Sequence, residues 1–364
     1  MAANYIQVKA NIPILKFNCP SDADAVILDT LEGHVYNLTS IPRCVEYIEF
    51  GNKFNQKIEK NVLPAGLKSL IFGYRYNQSI EKNVLPAGLK SLDFGYYYNQ
   101  PIEKDILPTG LESIKLSNLF NQPIEKNVLP TGLQSLNFGH DFNYPIEKDV
   151  LPTGLQSLDF SHAFNQPINK DVLPAGLQSI IFGSRFNQKI EINVLPAGLQ
   201  SLEFDYCYDQ KIDKDVLPSG LKSLDFGEDY NQPIEKDVLP AGLQSIVFGY
   251  HYNQKIEKDV LPTELQSIYF GGHFNQQLDN IPDKTKLYFR NIPSNMTRNY
   301  TYYNYSKPNL ELFKNEKVKL GEIYTSEIDN QKYYMVDVEI IKPEINREKI
   351  KDLIHQLEVE LQLE

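Results

Sequence analysis

The 364-residue chain has no tryptophan, only three cysteines and three methionines, and six histidines. Cys19, Cys44 and Cys207 are few, odd in number and unrelated in spacing, so no disulfide framework is expected and a reducing compartment is. No segment reaches the roughly 20 apolar residues of a membrane span, and the opening MAANYIQVKANIPILKF lacks the apolar run of a secretion signal. On this reading the protein is intracellular and cytoplasmic, and the sequons at Asn37, Asn77, Asn295, Asn299 and Asn304 are products of composition. A formal net charge of −11 argues against a general nucleic-acid binder and fits basic or mixed protein partners. Catalytic signatures are missing too: there is no GxxxxGK[ST], GxSxG or HExxH. Neither an enzyme nor a cofactor is implied, and an unrecognised site in residues 291–364 is the catalytic alternative.

What fills the chain instead is one pattern of 22 residues, of which FNQPIEKNVLPTGLQSLNFGHD (120–141) is a representative copy. Complete units begin at Phe54, Tyr76, Tyr98, Phe120, Phe142, Phe164, Phe186, Tyr208, Tyr230 and Tyr252, with a truncated one at Phe274. A fixed period in this range marks a stacked solenoid whose units touch only their neighbours. The apolar set Phe120, Ile124, Val128, Leu129, Leu133, Leu136 and Phe138 cannot be buried within one unit, so stacked units must share a core. Leu136 and Phe138 stand two apart, which places both on one face of a strand and Asn137 on the other. Leu129-Pro130-Thr131-Gly132, with proline second and glycine fourth, predicts a type I turn aimed into that strand. One strand per unit in a parallel sheet gives a spacing of about 4.8 Å. Glu264 replaces the turn glycine in the tenth unit, so a positive backbone angle is not obligatory there or the stack loosens.

Asn121 and its equivalents should form a ladder buried in a bend, and Asp209 should break it, because a carboxylate accepts but does not donate. The recurring Glu-Lys-Asn/Asp stretch reads as a solvated face of compensating charges, with a calcium ladder as the weaker alternative. Pro42, Val45, Ile48, Phe50 and Gly51 stand one period before Pro64, Leu67, Leu70, Phe72 and Gly73, a degenerate first unit. The expected division is a cap with that unit at 1–53, the solenoid at 54–281, and a C-terminal cap or module at 282–364. Within the last, 286–289 suits a final strand, 291–310 a connector, 332–341 a strand, and Ile350, Leu353, Ile354, Leu357 and Leu361 the stripe of an amphipathic helix.

The pattern FN-Q-P-I followed by L-P-x-G-L-x-S-L-x-F-G resembles the FNIP repeat family, a variant of the leucine-rich repeat. The resemblance covers residues 54–281. It implies a leucine-rich-repeat-like solenoid used for protein interaction, in proteins typical of amoebae and giant DNA viruses, hence the host cytoplasm if viral. Some members carry an F-box that links the repeats to a ubiquitin ligase; the first 50 residues here show no clear match to one.

Recurring positions are explained by stacking, so recognition belongs where units differ. One such column is the middle of the strand, with Asp93, Asp159, Glu203, Asp225 and Tyr269 among its members. Another is the pair that closes each unit, with Tyr96, Tyr97, Tyr206, Tyr250 and His251. Acids, tyrosines and exposed apolar groups together favour a protein-recognition surface. Stacking also sets His140 beside His162 and His251 beside His273, which raises a metal site that lacks recognised ligand spacing. The leading expectation is a non-enzymatic interaction scaffold or substrate-recognition arm; the alternative is a structural component that assembles with itself.

Overall fold

The computed structural model describes residues 41 and 43–290, apart from 161, 279 and 283, together with the backbone of four further strands on either side. The described strands join in one sheet whose spatial order follows the chain until its last two members exchange. They are β1 (Tyr5–Val8), β2 (Ala25–Leu28), β3 (Tyr47–Phe50), β4 (Ser69–Ile71), β5 (Ser91–Asp93), β6 (Ser113–Lys115), β7 (Ser135–Asn137) and β8 (Ser157–Asp159). There follow β9 (Ser179–Phe182), β10 (Ser201–Phe204), β11 (Ser223–Asp225), β12 (Ser245–Val247), β13 (Ser267–Phe270), β14 (Lys286–Arg290), β15 (Glu316–Thr325) and β16 (Lys332–Ile340). Strands β1 to β14 are parallel and in strict register, Ser113 against Ser135 and Ile114 against Leu136, so each sequence column becomes a column in space. The architecture is a parallel β-solenoid of the leucine-rich-repeat type.

Burial follows the two-residue period. Leu136 and Phe138 are fully buried while Ser135 and Asn137 stay half-exposed on the other side of the strand. Of the apolar set in residues 120–141 only Ile124 is partly buried, and it packs against the same continuous core as the rest. That core runs without a break from Ile41 to Leu287. The strand-end phenylalanines stack from unit to unit at 5.2 Å (Phe160 on Phe182) and 5.3 Å (Phe182 on Phe204). The aromatic residues that open each unit are spaced more widely, 6.2 Å for both Phe142 on Phe164 and Phe164 on Phe186. Parallel strands sit about 4.8 Å apart, so the spacing grows away from the sheet. The middle units therefore fan, with the sheet on the concave side, while in the first units the two spacings are equal, 5.8 Å for both Phe50 on Phe72 and Phe54 on Tyr76.

One expectation about the turns needs correction, and the alternatives raised by Glu264 are decided. The Leu133 N–H donates to the Pro130 carbonyl at 3.1 Å, so proline occupies the first turn position and glycine the third, one residue out of phase with the expected turn. The turn glycines are not among the positive-φ residues, and Glu264 leaves the turn intact, with Leu265 N–H bonded to Pro262 carbonyl at 3.2 Å. The left-handed position lies elsewhere, at Asn61, Asn83, Asp105, Asn127 and each equivalent through Asp259, all with φ between 62° and 67°. Asn and Asp are the non-glycine residues that tolerate this region best. That explains why the column never holds anything else. The ion pairs on the same corner, such as Lys82–Asp105 at 2.8 Å and Lys148–Asp171 at 3.3 Å, are exposed at both ends. Exposed pairs contribute about 0–1 kcal/mol each, so backbone geometry, not charge, fixes the column.

The asparagine ladder forms, but half-exposed rather than buried and with no break. Asn55 Oδ1 accepts from the Asn77 N–H at 2.9 Å and from Gln78 Nε2 at 3.1 Å, and the arrangement recurs unit after unit. Only the acceptor oxygen is used. Asp209 therefore continues the ladder, accepting from the Asn231 N–H at 2.9 Å and Gln232 Nε2 at 3.0 Å.

At the N-terminal side, Ile48 pairs with Leu70 and lies fully buried, and it is not at the end of the stack, because Val26 pairs with it from the other side. Ala25–Leu28, flagged as an apolar run, is β2. At the other end 286–289 falls within β14 and 332–341 matches β16 closely, with β16 antiparallel to β14. Strand β15, antiparallel to β16, was not foreseen; its alternation is interrupted by a register shift between Leu320 and Ile323. The expected connector at 291–310 and the helix around 350–361 lie outside the described residues. Cys44 is disulfide-bonded and Cys207 is free, which removes the argument from unpaired thiols for a reducing compartment. Among the described residues no helix is long and apolar enough to cross a membrane.

The hydroxyls of Tyr76, Tyr98 and Tyr208 are buried with no partner among the described residues. Nothing in the structure explains why these units take tyrosine where others take phenylalanine.

The acceptor-only ladder makes a direct prediction. Asn99→Leu, which orphans the Asn121 N–H and Gln122 Nε2, should cost about 1 kcal/mol in urea denaturation, whereas Asp209→Asn should stay within about 0.5 kcal/mol of the parent. Equal losses would refute the ladder as described.

Candidate functional site

Two columns of unlike residues run along the solenoid, as the sequence places them. The first lies on the concave face, where register sets Asp93 beside Lys115, then Asn137, Asp159, Ile181, Glu203, Asp225, Val247 and Tyr269. Several of its polar groups already have local work. Asp93 Oδ1 accepts from the Gly95 N–H at 2.8 Å, Asn137 Oδ1 from Gly139 at 2.8 Å, and Asp225 Oδ1 from Gly227 at 2.9 Å. Those three glycines are the positive-φ glycines of the described chain, at 72° to 75°. Where an aliphatic or aromatic residue precedes, as Ile71 before Gly73 or Val247 before Gly249, the glycine is not left-handed. A short Asx side chain thus bends the chain two residues on, as Asx turns do.

Remaining valences tie the column together: Lys115 pairs with Asp93 Oδ2 at 3.1 Å, and Asn137 Nδ2 donates to Asp159. The expectation of exposed apolar groups on this face fails at Val247 and Tyr269, which are 8% and 9% exposed. They form a small cluster of their own with Tyr288, whose ring stacks on Tyr269 at 4.5 Å. The half-exposed acids Asp159, Glu203 and Asp225 still line the concave surface, but as bonded groups.

The second column, at the edge where each unit closes, is less committed to the stack through its side chains. Its backbone is fixed by bonds such as Arg75 N–H to Asn52 carbonyl at 3.0 Å and Cys207 N–H to Ser184 carbonyl at 2.8 Å. Its side chains project outward. Tyr74 stacks on Tyr96 at 4.3 Å, and Tyr97 meets both edge-on at 5.0 and 5.2 Å, giving a three-tyrosine cluster. Tyr97 is 41% exposed, Tyr74 43% and Tyr206 53%. Further along, Tyr250 packs at 4.3 Å against His273 and edge-on at 5.1 Å against His251, which faces Asp229 at 3.7 Å. Tyr74 belongs to the same closing-pair column; Tyr144 was not among the expected site residues, and its exposed ring stands in the one unit that replaces the glutamine of the asparagine ladder. That departure from a recurring column was the available signal.

The histidine pairs form as expected. His140 and His162 stack with centroids 4.2 Å apart and planes 7° from parallel, and His140 Nδ1 lies 2.6 Å from Asp141 Oδ1. Among the described residues no group of three or more histidine, cysteine, aspartate or glutamate side chains is arranged to hold a metal ion. Burial, and then the neighbouring His140, lowers the His162 pKa from its ordinary value; burial and His251 do the same at His273. Burial, and then Asp229 and Asp205, raises the Cys207 thiol pKa, so this free cysteine is a poor nucleophile.

A depressed histidine pKa ties stability to pH. The unfolded chain binds the proton near pH ~6.5, more readily than folded His162, so stability is fully present above that pH and falls as pH drops below it. Chemical denaturation at pH about 7.5 and about 5 should show a loss at the lower pH that His162→Gln reduces. An identical loss in the variant would clear His162 of the effect.

Comparison with known proteins agrees with this geometry. The family model for the FNIP repeat matches at residues 37–75, 76–119, 120–162, 164–207, 208–251 and 252–291. The chain is similar to the giant-virus (CroV) protein CroV588, whose crystal structure is described as a novel circular LRR protein structure, with 44% identity and a TM-score of 0.66. The match covers 67% of this chain and 36% of that one, so this chain spans about a third of the length of CroV588. No curated protein matches. With six matched repeats over most of its length, stacked in the register their spacing demands, the chain belongs to the FNIP repeat family.

Proposed function

We propose that the protein is a non-enzymatic scaffold for protein interaction and that the edge strip carrying Tyr96, Tyr97, Tyr206, Tyr250 and His251 is its contact surface. The observation that supports this reading is the exposure of large tyrosines where units differ, Tyr206 at 53% and Tyr97 at 41%. Tyrosine supplies broad, stiff contact area with a polar tip, which is why it anchors interfaces. The adjoining concave acids Asp93, Asp159, Glu203 and Asp225 add charge that orients a partner with basic groups. The strip is long and shallow, a shape suited to a protein surface more than to a small molecule.

A recognition arm for ubiquitin ligation is the finer form of this reading, which the family resemblance motivates. Self-assembly is the alternative, and sedimentation showing a monomer independent of concentration would count against it.

The test is a variant with Tyr96, Tyr97, Tyr206 and Tyr250 all changed to alanine, compared with the parent by proximity labelling after equal melting temperatures are established. Truncating even one buried tyrosine anchor costs about 2 kcal/mol, roughly thirtyfold in affinity, so the parent's enriched partners should be lost. Their retention would put the contact surface elsewhere. Ligase subunits among the lost partners would support the finer reading, and their absence would overturn it.

A further inference from the structure

The repeat shortens at the C-terminal end of the array, and a pocket lies there. The serine column runs at 22-residue intervals through Ser223, Ser245 and Ser267, but its next member in register is Lys286, only 19 residues on. Beside the shortened unit lies a half-open surface pocket of about 700 Å³, over the directly paired strands β13 and β14, lined by Glu264, Ser267, Tyr269, Lys284, Lys286 and Tyr288 among others. Lys286 takes a serine's place on the concave face. Lys284 has φ 75°, the one left-handed residue of the described chain that is neither glycine, asparagine nor aspartate. Such a conformation costs about 1–3 kcal/mol and persists where the surroundings impose it, often at functional sites.

The charges differ from those of the rest of the molecule. Along the solenoid many lysines find a carboxylate on the next unit, as Lys126 does at Asp149 and Lys214 at Asp237, and others, such as Lys258, stand in open solvent outside this pocket. Neither Lys284 nor Lys286 has a hydrogen-bonded or ion-paired side chain among the described residues, and Glu264 is the only carboxylate in the lining. Beside them the Tyr269–Tyr288 stack forms an apolar wall. Low polarity beside an ammonium strengthens its attraction to a carboxylate. Among the described residues the two lysines outnumber the one carboxylate of the lining, Glu264, in a chain whose net charge is −11.

We propose that this cavity is a second binding site and that it takes an acidic peptide segment of a partner protein. The inference rests on the reading of the chain as an interaction scaffold. A polyanion such as nucleic acid is disfavoured because its length would run against the acidic remainder of the surface. A short acidic segment places its carboxylates on Lys284 and Lys286 and stays within the cavity.

The test uses the full chain and an N-acetylated, C-amidated octapeptide alternating glutamate with leucine. Amine labelling read by mass spectrometry should show Lys284 and Lys286 protected by the peptide and exposed Lys258 unaffected. Lys284→Gln with Lys286→Gln should weaken binding at least about tenfold, as expected for losing charge-assisted contacts, with an unchanged melting temperature. Equal protection by the same octapeptide with glutamine in place of glutamate would overturn charge recognition. Protection by inorganic phosphate alone would make this a small-anion site instead, and protection that grows with protein concentration alone would assign it to a second copy. The octapeptide should still bind the four-tyrosine variant. Unprotected lysines with tyrosine-dependent capture intact would overturn this site alone, and the converse would overturn only the edge-strip reading.

Discussion

Each unit must bury its apolar residues and satisfy its polar backbone using only the unit before and the unit after, and everything else in the solenoid follows from that. Neither task is possible within 22 residues. The core answers the first by stacking Phe on Phe and Leu on Leu from Ile41 to Leu287. The strand ladder answers part of the second, and the side-chain oxygens of one column answer more of it, accepting the next unit's N–H and, except where Tyr144 replaces it, its glutamine amide. Because a carboxylate oxygen serves as well as an amide oxygen, the ladder passes through Asp209 unbroken.

Translation at constant register has a geometric cost that shows in the ring spacings. Strands are held at hydrogen-bonding distance, while stacked rings remote from the sheet settle near 6.2 Å. The difference bends the stack toward its sheet. CroV588, which shares 44% identity over the matched part, is described as circular. A concave sheet beside an edge of variable side chains offers a partner a curved, extended surface.

Much of this was legible in the sequence, because a fixed period turns a one-dimensional pattern into a three-dimensional one. The strands, the buried face, the degenerate first unit around Ile48 and the histidine pairs could all be placed from spacing alone. Backbone conformation was harder to read. The Asn/Asp column looked like part of a charged face, yet its restriction to two residue types was the mark of a left-handed position. The acids at Asp93 and Asp225 looked purely functional, yet each bends the chain at the glycine two residues on. Tyr269 looked exposed because its column is, but a shortened last unit changes its neighbours. Periodicity predicts what is shared among units; local hydrogen bonds and the ends of the array are what it misses.

The central claim is that recurring columns stack while the closing pair of each unit is left for recognition. A library of single substitutions across residues 120–141 and 208–229, scored by resistance to proteolysis, measures this most directly. The account predicts sharp loss at the aromatic, leucine, ladder and left-handed positions and tolerance at 140–141 and 229, with Glu228 intermediate because its carboxylate accepts the Tyr250 N–H at 3.0 Å. Equal intolerance at the closing pairs would show that they too hold the stack, and would leave the edge strip without its claim to be the recognition surface.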